Sequence, residues 1–396
     1  MKCRFCHKTL RDVFIDLGHQ PPANSFLTKE QLEEPEIYYP LKVYVCACGL
    51  VQIPEMKKAS EIFREDYPYF SSQSPSNVSH AKEFAEMILE RFPHIKRVVE
   101  IGSNDGYMLQ WFKQMGCGVL GFEPAEGPAS IAESKGINTV KRFFGCDFVG
   151  IEGNLFPVAD LICSINTIAH QPDINDFVEG MKIALAPEGI ITAEFPHLMN
   201  LVRYNQFDTI YHEHYNYFSL DIIMKIFKKH RLTVFDVDEI PEHGGSLRIY
   251  ACHEGERKPL KNIKRVLRKE SDTLARAKFL QHRAENIRRD LLRFLVTNGA
   301  EIVAYGAPAK GNTLLNYCRI NRDLIHSVVD KSPHKQGKYL PGSHIPVLGE
   351  SRIKCTLPEY VLILPWNLKE EIMEQLSYIR KWKAKFVTAI PRLEVL

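Results

Sequence analysis

From about residue 97 onward, short apolar runs alternate with amphipathic stretches. RVVEIG (97–102), GVLGFE (118–123) and VADLICSI (158–165) read as strands. A helix over about 173–185 leads into the strand GIITAEF (189–195). After a long loop, a helix near 219–230 precedes the strand LTVFDVDEI (232–240). Strands separated by helices signal a parallel sheet, because a parallel connection needs a crossover of about a dozen residues. The turn PEHGGS then runs straight into LRIYACH (247–253). No crossover fits there, so these last two strands are expected to be antiparallel neighbours. Upstream, a helix is predicted over about 80–92, behind the Tyr/Ser-rich stretch EDYPYFSSQSPSN. Residues 1–56 read as a short β-rich module ending in KVYVCACGLVQI.

Beyond residue 257 the pattern changes. Leu260, Ile263, Leu267, Leu274 and Ala277 keep helical spacing, which predicts one long helix over about 258–297. A second α/β unit follows. Its strands are EIVAYG (301–306), IHSVVD (325–330), EYVLIL (359–364) and KFVTAI (385–390), and a helix starts at KGNTLLNYC. Three domains are expected: 1–60, a zinc-binding module; 61–256, built around the parallel sheet; and 257–396, the long helix plus a Rossmann-like α/β domain. A parallel sheet that ends in one antiparallel hairpin is the pattern of a class I methyltransferase.

Composition narrows the function classes. The chain has 396 residues, 45% apolar and 25% charged, which excludes wholesale disorder. Lys plus Arg is 51 and Asp plus Glu is 48, a formal charge of +3, so no broad field draws nucleic acid or a membrane surface. The predicted long helix is locally basic, with twelve Lys/Arg against four Asp/Glu between Lys258 and Arg293. A solvated face explains that better than a nucleic-acid patch. No stretch approaches the ~20 apolar residues of a membrane span. The start MKCRFCHKTL lacks the apolar core of a signal peptide, so a cytoplasmic protein is expected. Cys3 and Cys6 form C-x-x-C, and Cys46 and Cys48 form C-x-C. Four thiols at the two ends of a short loop read as one tetrahedral zinc site, whose metal would supply folding energy to a module poor in apolar mass. The C-x-C spacing is tighter than the two to four residues usual in such sites.

Glu100-Ile-Gly102-Ser103-Asn104-Asp105-Gly106 ends a strand and opens a helix. The spacing is not G-x-G-x-x-G, which argues against a dinucleotide pyrophosphate. A short acidic turn suits S-adenosylmethionine, which carries a sulfonium and an amino-acid tail. Glu123 ends the next strand, where a carboxylate can take both ribose hydroxyls. Asn166, closing the fourth strand, is assigned to the same pocket. Tyr211-His212-Glu213-His214-Tyr215 follows the fifth strand at the carboxyl edge of the sheet. It is not H-E-x-x-H, so a zincin is excluded. Metal ligation, a structural loop, and a general base with an orienting carboxylate remain; beside a methyl donor the base is the most economical. His170, after the fourth strand, is a second candidate. Neither an N/D-P-P-Y tetrapeptide nor a Pro-Cys nucleophile stands at that position. Gly306-Ala-Pro-Ala-Lys310-Gly311-Asn312-Thr313 looks like a P-loop, but Asn312 occupies the place of the Walker lysine, so NTP hydrolysis is not expected. A helix N-terminus with a nearby lysine can still hold a diphosphate. Asp330, ending the next strand, could contact a ribose or cap a turn. His243-Gly244-Gly245-Ser246 and Arg248 form a second polar loop, either a substrate contact or simply a tight hairpin.

These motifs together resemble the sugar C-methyltransferases that act on nucleotide-linked 4-keto-6-deoxyhexoses. The resemblance runs nearly end to end. It is carried by CGLVQ with the N-terminal cysteines, YPYFSSQS, EIGSNDGYML, NTIAH, YHEHYNYFS, HGGSLR, YGAPAKGNTLLNY and KYLPGSHIPV. It implies structural zinc, S-adenosylmethionine in the central domain, and a C-terminal domain that helps hold a nucleotide-linked keto sugar. It places the base on His214, with Glu213 and Tyr211 beside it, a further active-site histidine on His170, and an active-site tyrosine on Tyr67 or Tyr69. Cys46-Ala47-Cys48 departs from the family's usual C-x-x-C. The expected reaction is methyl transfer, most often to C-3, through an enolate, by a monomer or small homo-oligomer. The rival readings are an RNA methyltransferase with a zinc module and a non-catalytic S-adenosylmethionine-binding protein. Near-neutral charge counts against the first, and the YHEH loop against the second.

Overall fold

The computed structural model describes residues 1–63, 67, 69–147, 159–298 and 302–396. Glu65, Asp66 and Pro68 of the Tyr/Ser-rich stretch, and the expected strand starts Val158 and Glu301, lie outside them. The chain forms two compact units. One comprises Met1–Arg11, Val45–His197 and Tyr215–Ser271; the other comprises Asp12–Tyr44, Leu198–His214 and Asp272–Leu396. Both are assembled from separated segments rather than from consecutive stretches of chain.

The first unit is built on a sheet of seven strands among the described residues: β1 (Arg97–Ile101), β2 (Gly118–Phe122), β3 (Thr139–Val140), β4 (Ala159–Ile165), β5 (Leu185–Pro196), β6 (Leu232–Ile240) and β7 (Ser246–His253). Their order is β3-β2-β1-β4-β5-β7-β6. Strands β1 to β5 pair in parallel. Strand β7 lies antiparallel between β5 and β6, as the missing crossover requires. The order reverses at β1, so the turn after Ile101 opens at the crevice where such sheets bind ligands. The helix Ile174–Ala184 starts where Asp173 accepts from the amides of Asn175 and Asp176. The helix Leu220–Lys229 starts at Ser219 and buries Ile222, Ile223, Ile226 and Phe227 along one face. The helix expected over 80–92 begins earlier, at Pro75, and ends at Arg91. Ser74 caps it and proline is favoured at the first helical position, so the start follows the capping chemistry rather than the apolar period. Phe84 and Ile88 of that helix pack with Phe112 and Tyr250 in the core.

Among the described residues the second unit carries a six-stranded sheet: β8 (Ile302–Tyr305), β9 (Val328–Val329), β10 (Val347–Leu348), β11 (Tyr360–Ile363), β12 (Lys385–Thr388) and β13 (Glu394–Val395). The order is β10-β9-β8-β11-β12-β13, parallel except for the last strand. It reverses at β8, so Gly306 stands at the switch point of this Rossmann-like sheet. Val303, Ile363, Leu376 and Phe386 form its core. The single helix expected over 258–297 is corrected to three: Lys261–Glu270, Thr273–Ala277 and Leu280–Asn298. The Ser271 hydroxyl donates back to the Arg268 carbonyl, and Asp272 leaves helical geometry at ψ 5°. Such local side-chain bonds compete with the helix, while the apolar spacing runs on unbroken across the gap.

Candidate functional site

In the first unit the turn after β1 is shaped for close approach. Gly102 has φ +73°, and a Cβ there would stand 2.2 Å from Thr167 Oγ1, so only glycine fits. The amides of Gly102 and Ser103 both donate to the Phe122 carbonyl. Glu123 accepts from the amides of Asn104 (3.0 Å) and Ala125 (2.9 Å), which fixes its carboxylate across the mouth of the turn. Burial raises Glu123 to about 7, against the lowering effect of those two bonds. Glu100 is fully buried and raised well above the carboxylate range by burial and by its neighbours Asp105 and Glu123. Both Glu100 oxygens, Ser103 Oγ, Asp105 Oδ1 and Asn166 Oδ1 are buried without a partner among the described residues. Buried polar atoms are seldom left so, and their convergence around the Gly102–Gly106 turn fits a polar ligand with amine and hydroxyl groups.

The Tyr/Ser stretch is tied to this turn. The Ser71 amide donates to Asn104 Oδ1 (2.7 Å), Asn104 Nδ2 donates to the Tyr69 carbonyl (3.2 Å), and Ser72 Oγ donates to Asp105. The Tyr69 hydroxyl accepts from Asn77 Nδ2 at 3.2 Å. The Tyr67 ring packs on Phe63, with centroids 5.1 Å apart, and Phe63 meets the His170 ring edge-on at 5.5 Å. Tyr67 and His170 thus share one aromatic neighbour.

Four sulfurs converge in the same unit. Those of Cys3, Cys6, Cys46 and Cys48 all lie within 4.8 Å of one another, with Cys3 to Cys48 at 3.8 Å and Cys6 to Cys46 at 3.5 Å. Zinc–sulfur bonds of about 2.3 Å set tetrahedral sulfur–sulfur edges of about 3.8 Å, whereas a disulfide is about 2.05 Å. The turn in which the Gly49 amide donates to the Cys46 carbonyl brings Cys46 and Cys48 to one side, so C-x-C completes the set. Cys3 is pulled down to about 4 by hydrogen bonding from Cys48, which outweighs burial; bonds from the Cys6 and Phe5 backbone and from Gln52 add to it. An all-sulfur donor set of this size fits structural zinc.

In the second unit the YHEH segment is held from several sides. His214 Nδ1 lies 3.0 Å from the Thr209 carbonyl and Nε2 lies 2.8 Å from the Tyr211 hydroxyl. A carbonyl only accepts, so a ring proton sits on Nδ1, and in the neutral ring the lone pair is then at Nε2. At Nδ1 the partner is the Thr209 main-chain carbonyl. The Glu213 oxygens accept from Asn24 Nδ2 at 2.8 and 2.9 Å. His212 Nε2 reaches the Pro40 carbonyl at 3.3 Å.

The Gly306 turn of this unit parallels the Gly102 turn of the other. Gly306 has φ +84°, and a Cβ would meet Pro365 at 2.5 Å. Asp330 accepts from the amides of Ala307 (2.7 Å) and Ser332 (2.8 Å). Lys310 Nζ donates to Asn367 Oδ1 (2.7 Å) and lies 4.8 Å from the Trp366 ring centroid. Burial lowers it to about 8, partly offset by Asp208. Gly311 packs on Leu364. Asn312 is buried, and its amide donates to the Ala23 carbonyl.

One network was missed from sequence. His80 places Nε2 2.8 Å from Glu194 and Nδ1 3.1 Å from Glu242. Two acceptors on one ring require both N–H groups, hence an imidazolium. Burial would lower it, but the two carboxylates hold His80 up at about 9. Arg248 donates to Glu194 at 2.6 Å, so this arginine of the HGGS loop is committed to an internal ion pair. His243, Gly244 and Gly245 form the turn beneath it, all at positive φ, and Ser246 Oγ donates to the Glu242 carbonyl. Three segments far apart in the chain supply the network, so no local motif announces it.

Comparison with known proteins gives matches along the whole chain. Residues 3–63 match a zinc binding domain, 76–237 a methyltransferase domain, and 241–391 a C-methyltransferase C-terminal domain. Among solved structures, the chain is similar to magnesium protoporphyrin IX methyltransferase from Synechocystis, at 12% identity and a TM-score of 0.34, covering 45% of this chain and 82% of that one. It is also similar to an S-adenosylmethionine-dependent methyltransferase from Mesorhizobium loti, at 14% and 0.35, covering 44% and 99%. The C-methyltransferase NovU of Streptomyces niveus is 33% identical over 408 residues, spanning 100% of this chain and 96% of that protein. An end-to-end match at that identity means that the chain belongs to the S-adenosylmethionine-dependent C-methyltransferases.

Proposed function

We propose that the enzyme methylates C-3 of a nucleotide-linked 4-keto-6-deoxyhexose, with His214 removing the proton alpha to the ketone. The observation that carries this reading is the His214 ring itself. A neutral imidazole with its proton committed to the Thr209 carbonyl has its basic lone pair at Nε2. The Tyr211 hydroxyl covers that lone pair at 2.8 Å until a carbon acid replaces it. Once the ring gains a proton, the Nδ1–H bond to the carbonyl strengthens, so the same contact that orients the base stabilises its product.

S-adenosylmethionine, when bound, supplies the electrophilic methyl group. The Glu123 carboxylate, held between two amides, supports a contact to its ribose hydroxyls, and the unpartnered oxygens around Gly102–Gly106 and Asn166 support one to its polar tail. His170, with Tyr67 on the same aromatic neighbour, is assigned to hydrogen bonding of the ketone oxygen. Tyr69 contributes its carbonyl to the turn. The Gly306 turn with Lys310 and Asp330 is assigned to the nucleotide diphosphate, and the HGGS loop to the sugar side. Zinc, which the thiolates of Cys3, Cys6, Cys46 and Cys48 would hold, would be structural and take no part in the proton transfer.

His214→Asn keeps a polar group of similar size but no basic Nε2. It should cut kcat by about 10²–10⁴-fold with little change in either ligand's affinity. With a non-reactive donor analogue bound, it should also abolish exchange of the alpha hydrogen into deuterated water across a panel of nucleoside-diphosphate 4-keto-6-deoxyhexoses. Exchange at the wild-type rate in the variant would transfer the base role to another residue.

A further inference from the structure

We propose that Asn312 and Thr313 are positioning residues for the base, holding the loop that sets the His214 ring; this rests on His214 being the proton acceptor. Thr313 Oγ donates to the Ile210 carbonyl at 3.0 Å. That carbonyl belongs to the peptide unit directly after the Thr209 carbonyl, which holds Nδ1–H, and directly before Tyr211, whose hydroxyl meets Nε2. One buried hydroxyl therefore anchors the chain between the two groups that touch the ring. Asn312 Nδ2 donates to the Ala23 carbonyl at 2.6 Å, and the next residue, Asn24, grips both oxygens of Glu213. On the preceding turn, Trp366 Nε1 donates to Asp208 Oδ2 at 2.7 Å, and the Phe207 ring meets Tyr317 at 5.1 Å. Tyr317 lies on the same helix, Ala309–Cys318, as Asn312 and Thr313. The loop is thus fixed at residues 207, 208, 210 and 213.

Asn312 and Thr313 are each 1% exposed, so the bonds from Asn312 Nδ2 and Thr313 Oγ are made inside the fold. The motif after β8 accordingly divides. Gly306 to Lys310 stay with the acceptor reading, while Asn312 and Thr313 serve the proton transfer. A catalytic group displaced by about 1 Å can lose ~10²-fold in rate, so one lost strut reads out in chemistry rather than in binding.

The test pairs Thr313→Val, which keeps the shape and removes the donor, with Thr313→Ser, which keeps the donor. Alpha-deuterium exchange is measured on the same panel of nucleoside-diphosphate keto sugars with a non-reactive donor analogue. Thr313→Val should slow exchange and kcat by ~10–100-fold, with acceptor KM and donor affinity within about twofold. Thr313→Ser should recover to within about threefold of wild type. Wild-type exchange in Thr313→Val, or a raised KM with kcat unchanged, overturns the proposal. His214→Asn run alongside separates the two ideas. If it abolishes exchange while Thr313→Val does not slow it, only the positioning role falls. If it retains exchange, the base reading falls and takes this proposal with it. Nitrogen NMR of the His214 ring needs no ligand. The wild-type proton should sit on Nδ1 and become shared between tautomers in Thr313→Val. A wild-type proton on Nε2 overturns the proposal whether or not that variant folds.

Discussion

At Glu123 a carboxylate is held between two opposed effects. Burial drives its affinity for a proton up, and the Asn104 and Ala125 amides pull it down; the balance stands at about 7. The unfolded value lies near 4.5, so between the two values the folded, donor-free protein holds a proton that the unfolded chain lacks. Stability from this group is therefore lost as pH rises from about 4.5 through 7. In the proposed donor site, ribose hydroxyls donate to the charged form of Glu123, so donor binding should expel that proton. Below pH 7, calorimetry in buffers of different ionisation enthalpy should show net proton release on S-adenosylmethionine binding, and affinity should rise from pH 6 to 8. Glu123→Gln should remove that component. Glu123→Ala should weaken binding further, since each lost charge-assisted bond is worth roughly 1.5–3 kcal/mol. Equal proton release in Glu123→Gln and wild type would take Glu123 out of the donor site.

Elements are joined by the His80 network. It ties the helix Pro75–Arg91 to Glu194 at the end of β5 and to Glu242 in the turn before β7. The folded value of His80, about 9, lies above the ordinary 6.5. Its stabilisation is therefore complete below about 6.5 and lost as pH rises through 9. Denaturant unfolding at pH 6 and pH 9.5 should show wild type losing more stability than His80→Gln across that interval, with the variant about 1–3 kcal/mol less stable at pH 6. Parallel pH curves would leave the imidazolium with no share in the fold. This network also shows where sequence reading stops. The strands of four residues or more and the antiparallel β6–β7 pair follow from run length and the missing crossover, and the cysteines from their types alone, whereas the two-residue strands β3, β10 and β13 are too short to leave an apolar run. His80, Glu194 and Glu242 are 114 and 162 positions apart measured from His80, so only the folded sheet brings them together. The Thr209 carbonyl that orients His214 is invisible for another reason: a main-chain acceptor leaves no signature in residue type. The break at Ser271–Asp272 is hidden because the apolar period continues through it.

Over the whole molecule, one device occurs twice. Each compact unit has a Gly-rich turn where its sheet order reverses, and each turn is braced by a carboxylate ending the next strand: Glu123 in one, Asp330 in the other. Each carboxylate spans an amide of the turn and the amide two residues beyond itself. The proposed division of ligands rests on what stands beside each turn. Around Gly102 the buried groups are carboxylates and amides, suited to amine and hydroxyl donors. Beside Gly306 stands Lys310, suited to phosphate. Its amine is lowered to about 8 by burial and is charged below that value. Acceptor KM should therefore be lowest below pH 8 and climb above it. Lys310→Ala should raise that KM about tenfold or more, because a charge-assisted phosphate contact is mainly uniform binding. S-adenosylmethionine affinity should stay as it is. Lys310→Arg, charged throughout, should flatten the rise above pH 8. KM measured from pH 7 to 9.5 on the three proteins, with donor titrations beside it, decides the matter. A matching loss of donor affinity in Lys310→Ala would mean that the two Gly-rich turns have exchanged ligands relative to this assignment.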